Sequence, residues 1–166
     1  SWTDIPAVPI NAFKTLDLSC SPVTEAKAVF MTSGTTLGGI RGKSYHPLLD
    51  VYDASMKRNF QNRFMGDFER IKMGILFPSP TLMANSSLAH YLDLAVRDFG
   101  LGKSRHLMDD NGINFTSLFE DLAEAEQSGK PYALLGASFS FVHLIDEMKR
   151  TGKTAVLPPG STILDT

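Results

Sequence analysis

Cysteine is almost missing from this chain: Cys20 is the only one in 166 residues. A lone thiol excludes a disulfide framework and a cysteine-based zinc site. No run of about 18 apolar residues occurs, so no membrane-spanning helix is expected. No block of like charge stands out either. Sixteen basic and eighteen acidic residues leave a formal net charge of −2, without the basic stripe that nucleic acid demands. The histidines, His46, His90, His106 and His143, are scattered, and none shares a metal-ligand spacing with another. No basic-plus-apolar leader precedes Ser1-Trp2-Thr3-Asp4, and no initiator methionine stands there. The expectation is a cytoplasmic protein of which this chain is an internal piece.

What remains is ordinary globular composition. It is 43% hydrophobic and 20% charged, enough for one domain with a core. Residues 1–24, with Pro6, Pro9 and Pro22 among short apolar runs, read as an irregular lead-in. Residues 25–166 read as an α/β core. Ala26 to Met31 is a compact apolar run that fits a buried strand. From Pro47 a helical pattern places Leu48, Leu49, Tyr52, Met56 and Phe60 on one face. Ile71 to Phe77 fits a second strand, stopped by Pro78 and Pro80.

Asn85 or Ser86 caps a helix whose apolar face is Leu88, Tyr91, Leu92, Ala95 and Phe99, with Gly100 as terminator. Arg105 to Met108 is a weaker strand signal. A helix over 115–128 ends at Gly129, a strand covers 131–135, and a further helix closes at Gly152. Ala155 to Leu157 and Thr162 to Leu164 supply one or two last strands. Alternating strand and helix predicts a mainly parallel sheet flanked by helices, with no internal repeat.

Between the first strand and the first long helix lies Thr32-Ser33-Gly34-Thr35-Thr36-Leu37-Gly38-Gly39-Ile40-Arg41-Gly42-Lys43-Ser44. It has no hydrophobic period and four glycines, which predicts a loop throughout. Ligands of open parallel sheets bind beyond the carboxyl ends of strands. Glycines admit backbone N–H groups close to an anion, hydroxyls add donors, and Lys43 or Arg41 adds positive charge. A Walker A loop needs four residues before its Gly-Lys-Ser. Gly42-Lys43-Ser44 supplies the ending, but Leu37 stands where the first glycine belongs.

Thr32-Ser33-Gly34-Thr35-Thr36 resembles the phosphate loop of adenylate-forming enzymes, the group of acyl-CoA synthetases and luciferase-type ligases. The chain most resembles their acyl-protein synthetase family, the fatty-acid-activating component of the bacterial bioluminescence fatty-acid reductase. The likeness rests on five stretches in order. They are Ile5-Pro6-Ala7-Val8-Pro9 with Phe13-Lys14, then Ser33-Gly34-Thr35-Thr36, then Pro78-Ser79-Pro80 with Asn85-Ser86-Ser87-Leu88. Next come Leu134-Leu135-Gly136-Ala137-Ser138-Phe139-Ser140-Phe141-Val142-His143-Leu144 and Leu157-Pro158-Pro159-Gly160-Ser161.

The resemblance implies part of a large N-terminal domain that binds ATP and Mg²⁺ and activates a carboxylic acid, a fatty acid above all. The acyl-adenylate would pass its acyl group to a thiol on a protein or small molecule. Thr32, Ser33, Gly34, Thr35, Thr36 and Lys43 would hold the phosphates. Ser87, His90, Ser138 and Phe139 would border the acid. The family has glycine where Leu37 stands, and its adenine-contacting motif, mobile C-terminal domain and acyl-accepting cysteine lie beyond this chain. Self-association through an uncovered strand edge near Thr162 to Leu164 is a further expectation.

Plainer roles compete at each position. The 32–44 segment suits a simple loop, and His90 a surface or capping histidine. His143 suits a hydrogen-bonded, partly buried one, and Phe139 and Phe141 suit core. Cys20 suits a small inert side chain, and Glu120, Asp121, Glu124 and Glu126 a solvated face. A P-loop-like NTPase and a non-catalytic interaction domain stand as alternatives to the ligase.

Overall fold

The computed structural model describes residues 2–33 and 39–166, which form two compact units. The first unit contains the described residues up to Tyr52 together with Asn85–Ser87. Its lead-in holds 3₁₀ turns at Trp2–Asp4 and Val23–Glu25 and one short helix, α1 (Ala12–Thr15). Strands β1 (Ala28–Met31) and β2 (Lys43–His46) follow, paired antiparallel with Phe30 opposite Ser44 and Met31 opposite Lys43. Phe30 is buried, its ring 5.1 Å from that of His46 and 5.7 Å from that of Tyr52.

Two expectations change here. Lys43 and Ser44 belong to β2, so the loop is shorter than 32–44. The strand before the loop lies outside the parallel sheet, because it pairs antiparallel with β2 in a two-stranded sheet of its own. Helix α2 (Asp50–Phe60) starts three residues after Pro47. His46, the residue before that proline, is held extended in β2, as pre-proline sterics favour.

The second unit contains residues 53–84 and 88–166. After α2 a π-turn over Gln61–Met65 ends at Gly66, whose φ of 56° favours glycine. Then come β3 (Lys72–Leu76), α3 (Ser87–Phe99), β4 (Arg105–His106) and a small hairpin of β5 (Met108–Asp109) with β6 (Gly112–Ile113). The last elements are α4 (Phe115–Ser128), β7 (Tyr132–Gly136), α5 (Ser138–Thr151) and β8 (Thr162–Asp165). β4, β3, β7 and β8 form one four-stranded sheet in that order, all parallel. The α/β reading with a parallel sheet therefore holds. Residues 155–157 are not a strand.

Alternation along the strands sends side chains to two cores. Met73, Ile75, Ala133 and Leu135 join Met56, Phe60, Leu92 and Ala95 in one. Leu76, Tyr132 and Leu134 join Leu118, Leu122, Ala125 and Leu144 in the other. Helices thus cover both faces. Each fully buried Leu, Ile or Met contributes roughly 1.5–3 kcal/mol. α4 is delimited by chemistry visible in its sequence. Asn114 accepts a hydrogen bond from the Ser117 N–H at 3.0 Å, and Gly129 ends the helix at φ 68°.

Three side chains sit otherwise than expected. Asp121 is buried, at 4% exposure, because it shares the inward face of α4 with Leu118, Leu122 and Ala125. Its charge is met by Lys72 Nζ at 3.0 Å and Arg105 at 3.3 Å. His143 and Phe139 are exposed on α5, Phe139 at 78%, because that helix turns Ser140 and Leu144 inward instead. No helix among the described residues is long and apolar enough to cross a membrane.

Candidate functional site

The Gly/Ser/Thr segment leaves β1 and re-enters β2 through a closed mouth. Thr32 N–H donates to the Gly42 carbonyl at 3.0 Å, and Gly42 N–H donates to Thr32 Oγ1 at 2.9 Å. Two hydrogen bonds across one residue pair fix both stems of the loop. Ser33 is exposed beside this mouth. Gly34, Thr35 and Thr36 lie outside the described residues. Arg41 is exposed and has no ion pair among the described residues.

Lys43 is the first residue of β2 beyond the mouth. Its ammonium lies 3.6 Å from Asp17 Oδ1, and the Tyr45 hydroxyl donates to the same oxygen at 2.5 Å. Lys43 and Tyr45 are two apart in a strand and share a face, which lets one carboxylate serve both. Asp17 holds the Lys43 pKa above its ordinary value. The Tyr45 hydrogen bond, with Lys43 adding to it, holds the Asp17 carboxyl below its own. Like any lysine, Lys43 is a cation at neutral pH, and here it is paired with Asp17. Asp17 and Tyr45 carry no motif, and nothing in the sequence ties Asp17 to the loop.

A cavity of about 380 Å³ opens beside this mouth, within the first unit. Ile10, Phe13, Phe30 and Met31 make it mainly apolar; Lys14 and Lys43 are its cations. Thr32 and Ser87 also border it. α1 forms one wall by packing on Gly42, where an added Cβ would stand 3.5 Å from the Phe13 carbonyl oxygen. Of the expected site residues, Thr32, Lys43 and Ser87 are thus brought together.

His90, Ser138 and Phe139 belong to the second unit. His90 Nε2 lies 2.7 Å from Asp53 Oδ1, both side chains about a quarter exposed. That partner on α2 makes His90 an oriented histidine and not a plain surface one. Ser138 stands at the start of α5, and its hydroxyl donates to the Asp165 carboxylate at 2.8 Å and 3.0 Å. Gly136, at the end of β7, is pressed against β3: an added Cβ would lie 3.0 Å from the Leu76 carbonyl oxygen. The sheet order reverses between these two strands, at the place where open sheets bind ligands. Ser138 and Phe139 follow directly from it.

The opposite, amino-terminal edge of the sheet carries the ionic network. Burial pulls the Lys72 pKa down, but hydrogen bonds to Glu124 and Asp121 outweigh it, and the net shift is upward. Tyr132 is fully buried and donates to Asp121 Oδ2 at 3.4 Å. Burial, then the nearby Asp121 charge, pushes the Tyr132 phenol far above its ordinary range. This network is structural: it lies at the strand ends remote from the switch point. Among the described residues no group of three or more His, Cys, Asp or Glu side chains is arranged to hold a metal. Cys20 is exposed, with a free thiol.

No family model, curated protein or solved structure matches the chain.

Proposed function

We propose that the protein activates a carboxylic acid with ATP, with the 32–44 segment gripping the polyphosphate and a thiol receiving the acyl group. One observation carries this reading: the hydroxyl- and glycine-rich loop is pinned at Thr32 and Gly42, with a cation, Lys43, immediately beyond the pin. A preset mouth lowers the ordering cost of binding an anion. Lys43 then neutralises phosphate charge without having to acquire a proton. The ordered resemblance to acyl-protein synthetases supplies the reaction class and favours a fatty acid.

The residues present suit a nucleotide that brings its own Mg²⁺. That ion is commonly held by phosphate oxygens and water with one or two carboxylates, not by an all-protein cage. When bound it would neutralise phosphate charge. Positioning and charge stabilisation are what the protein itself would add.

A Walker-type NTPase is less well supported. In that motif the Gly-Lys-Ser opens a helix, whereas Gly42-Lys43-Ser44 leads into strand β2. The deciding assay measures pyrophosphate and phosphate release from ATP, with and without a fatty acid. Acid-dependent pyrophosphate release supports the ligase. Acid-independent phosphate release supports the NTPase, and neither product leaves an interaction domain.

A further inference from the structure

We propose that residues 153–157 are an open edge to which an extended, basic peptide segment of a partner protein adds as a strand, seated in the groove between that edge and α4. The chain runs from Lys153 to Pro158 without helix, turn or bend. Its side chains alternate as those of a strand do. Ala155 and Leu157 pack against the second core, whereas Thr154 and Val156 are exposed, Val156 at 73%. Yet among the described residues no backbone N–H or C=O of 153–157 takes part in a hydrogen bond. Backbone polar groups are strong hydrogen-bonding groups, and an exposed row of them is a template for another strand.

A groove of about 440 Å³ lies beside this edge. Lys153, Thr154 and Ala155 form one bank, and α4 from Thr116 to Glu126 forms the other. That stretch of helix rises about 15 Å, the length of four or five strand residues. Phe119, Leu122, Ala123 and Ala155 give the groove an apolar floor, and Glu120 and Glu126 are exposed carboxylates on it. Neither carboxylate has an ion pair among the described residues. The one cation on the lining, Lys153, is placed over the Phe119 ring, 4.5 Å from its centroid. The groove therefore carries an excess of negative charge. A small organic cation would leave the backbone edge unpaired, and so would a helical peptide, whose own backbone is already satisfied. An extended strand uses every feature: its backbone pairs with 153–157, its apolar residues meet the floor, and its lysines or arginines reach Glu120 and Glu126. The assignment does not depend on the ligase reading, since none of these residues belongs to the unit that holds the loop.

The test uses the whole chain and a short end-capped peptide alternating valine and lysine, followed by NMR. A second peptide carries glutamate in place of lysine. The valine–lysine peptide should shift the amides of 153–157 and of the α4 bank saturably, and bind more tightly than its acidic counterpart. Amide hydrogen exchange reads the pairing itself. The amides of 153–157 should exchange fast in the free protein, and alternate ones should slow by about tenfold or more once the peptide is bound. Ala123 is exposed on α4, and arginine is a good helix former. Ala123→Arg should therefore keep the helix, obstruct the groove and weaken the peptide by about tenfold. Glu120→Gln combined with Glu126→Gln should bring the two peptides closer in affinity. Four results would overturn the proposal: no shifts with about 1 mM peptide, the weak end of specific binding; equal affinity of the unaltered protein for both peptides; saturation without slowed exchange at 153–157; or protection of those amides already present in the free protein. The exchange measurement needs no variant, so it decides even if Ala123→Arg fails to fold.

Discussion

Thr32 and Gly42 hold each other twice, once through their backbones at 3.0 Å and once through the Thr32 hydroxyl at 2.9 Å. Only the second bond depends on the side chain. Thr32→Val keeps the shape and removes the acceptor, at a cost of about 1 kcal/mol. If the loop grips phosphates, Thr32→Val should weaken ATP binding about fivefold, and Thr32→Ser should restore most of it. Isothermal titration of the two variants checks this. Equal affinities for Val and Ser would detach the clamp from phosphate binding.

If phosphate binds at Lys43, it competes with Asp17 for the ammonium, which lies 3.6 Å from Asp17 Oδ1. Asp17→Asn should therefore tighten pyrophosphate binding by a few-fold, and Lys43→Ala should weaken it by about tenfold. Arg41→Ala, which removes an exposed cation with no described ion pair, should have the smaller effect. A reversed order of the two cations, read by the same titration, would make Arg41 the phosphate-facing base.

Much of the second unit could be read ahead, because its signals are local. The Asn114 cap and Gly129 terminator marked both ends of α4, and the apolar runs of β3 and β7 marked the sheet centre. β2 escaped because Lys43-Ser44-Tyr45-His46 has no buried run; it is a strand only through its pairing with β1. Asp121 escaped because it lies in an acidic stretch. Its spacing from Leu118, Leu122 and Ala125 was the available sign that it faces inward. At the site, the loop was legible from composition. Its partners were not, since Asp17, Asp53 and Asp165 meet their targets across long separations in sequence.

Gly74 is fixed by a neighbour. A Cβ there would collide with the Tyr132 hydroxyl and would stand 2.9 Å from Leu107 Cδ1. Gly74→Ala should lower unfolding free energy by roughly 1–3 kcal/mol. Adding Tyr132→Phe removes the hydroxyl in the collision, so the double variant should lose less than the two single losses summed. Urea denaturation of the four proteins measures the coupling. Strict additivity would show that the hydroxyl is not what excludes the methyl.

The same edge of the sheet predicts a response to alkali. Lys72 and Tyr132 both have folded pKa values raised above their unfolded ones. A raised pKa contributes stability that is complete below the unfolded value and disappears as pH climbs through the shifted one. The unfolded values for both groups lie near pH 10. The urea midpoint should thus be flat from about pH 8 to 9 and fall above about pH 10. Lys72→Met and Tyr132→Phe should each flatten that fall. An unchanged alkaline slope in both variants would place its origin elsewhere.

The strand order has a consequence for how the chain reaches its native state. β3 pairs on one side with β4 through Gly74 and Arg105, and on the other with β7 through Lys72 and Tyr132. The first pairing closes a modest stretch of chain around α3, and the second must wait for a stretch roughly twice as long. Long-range parallel pairings are slow to form because loop closure precedes any gain in contacts. Until β7 arrives, Met73 and Ile75 are only half enclosed and the β3 edge stays open to any other strand. Refolding should therefore be most prone to aggregation in that interval, and substitutions in β7 should slow folding more than equally costly ones in β4.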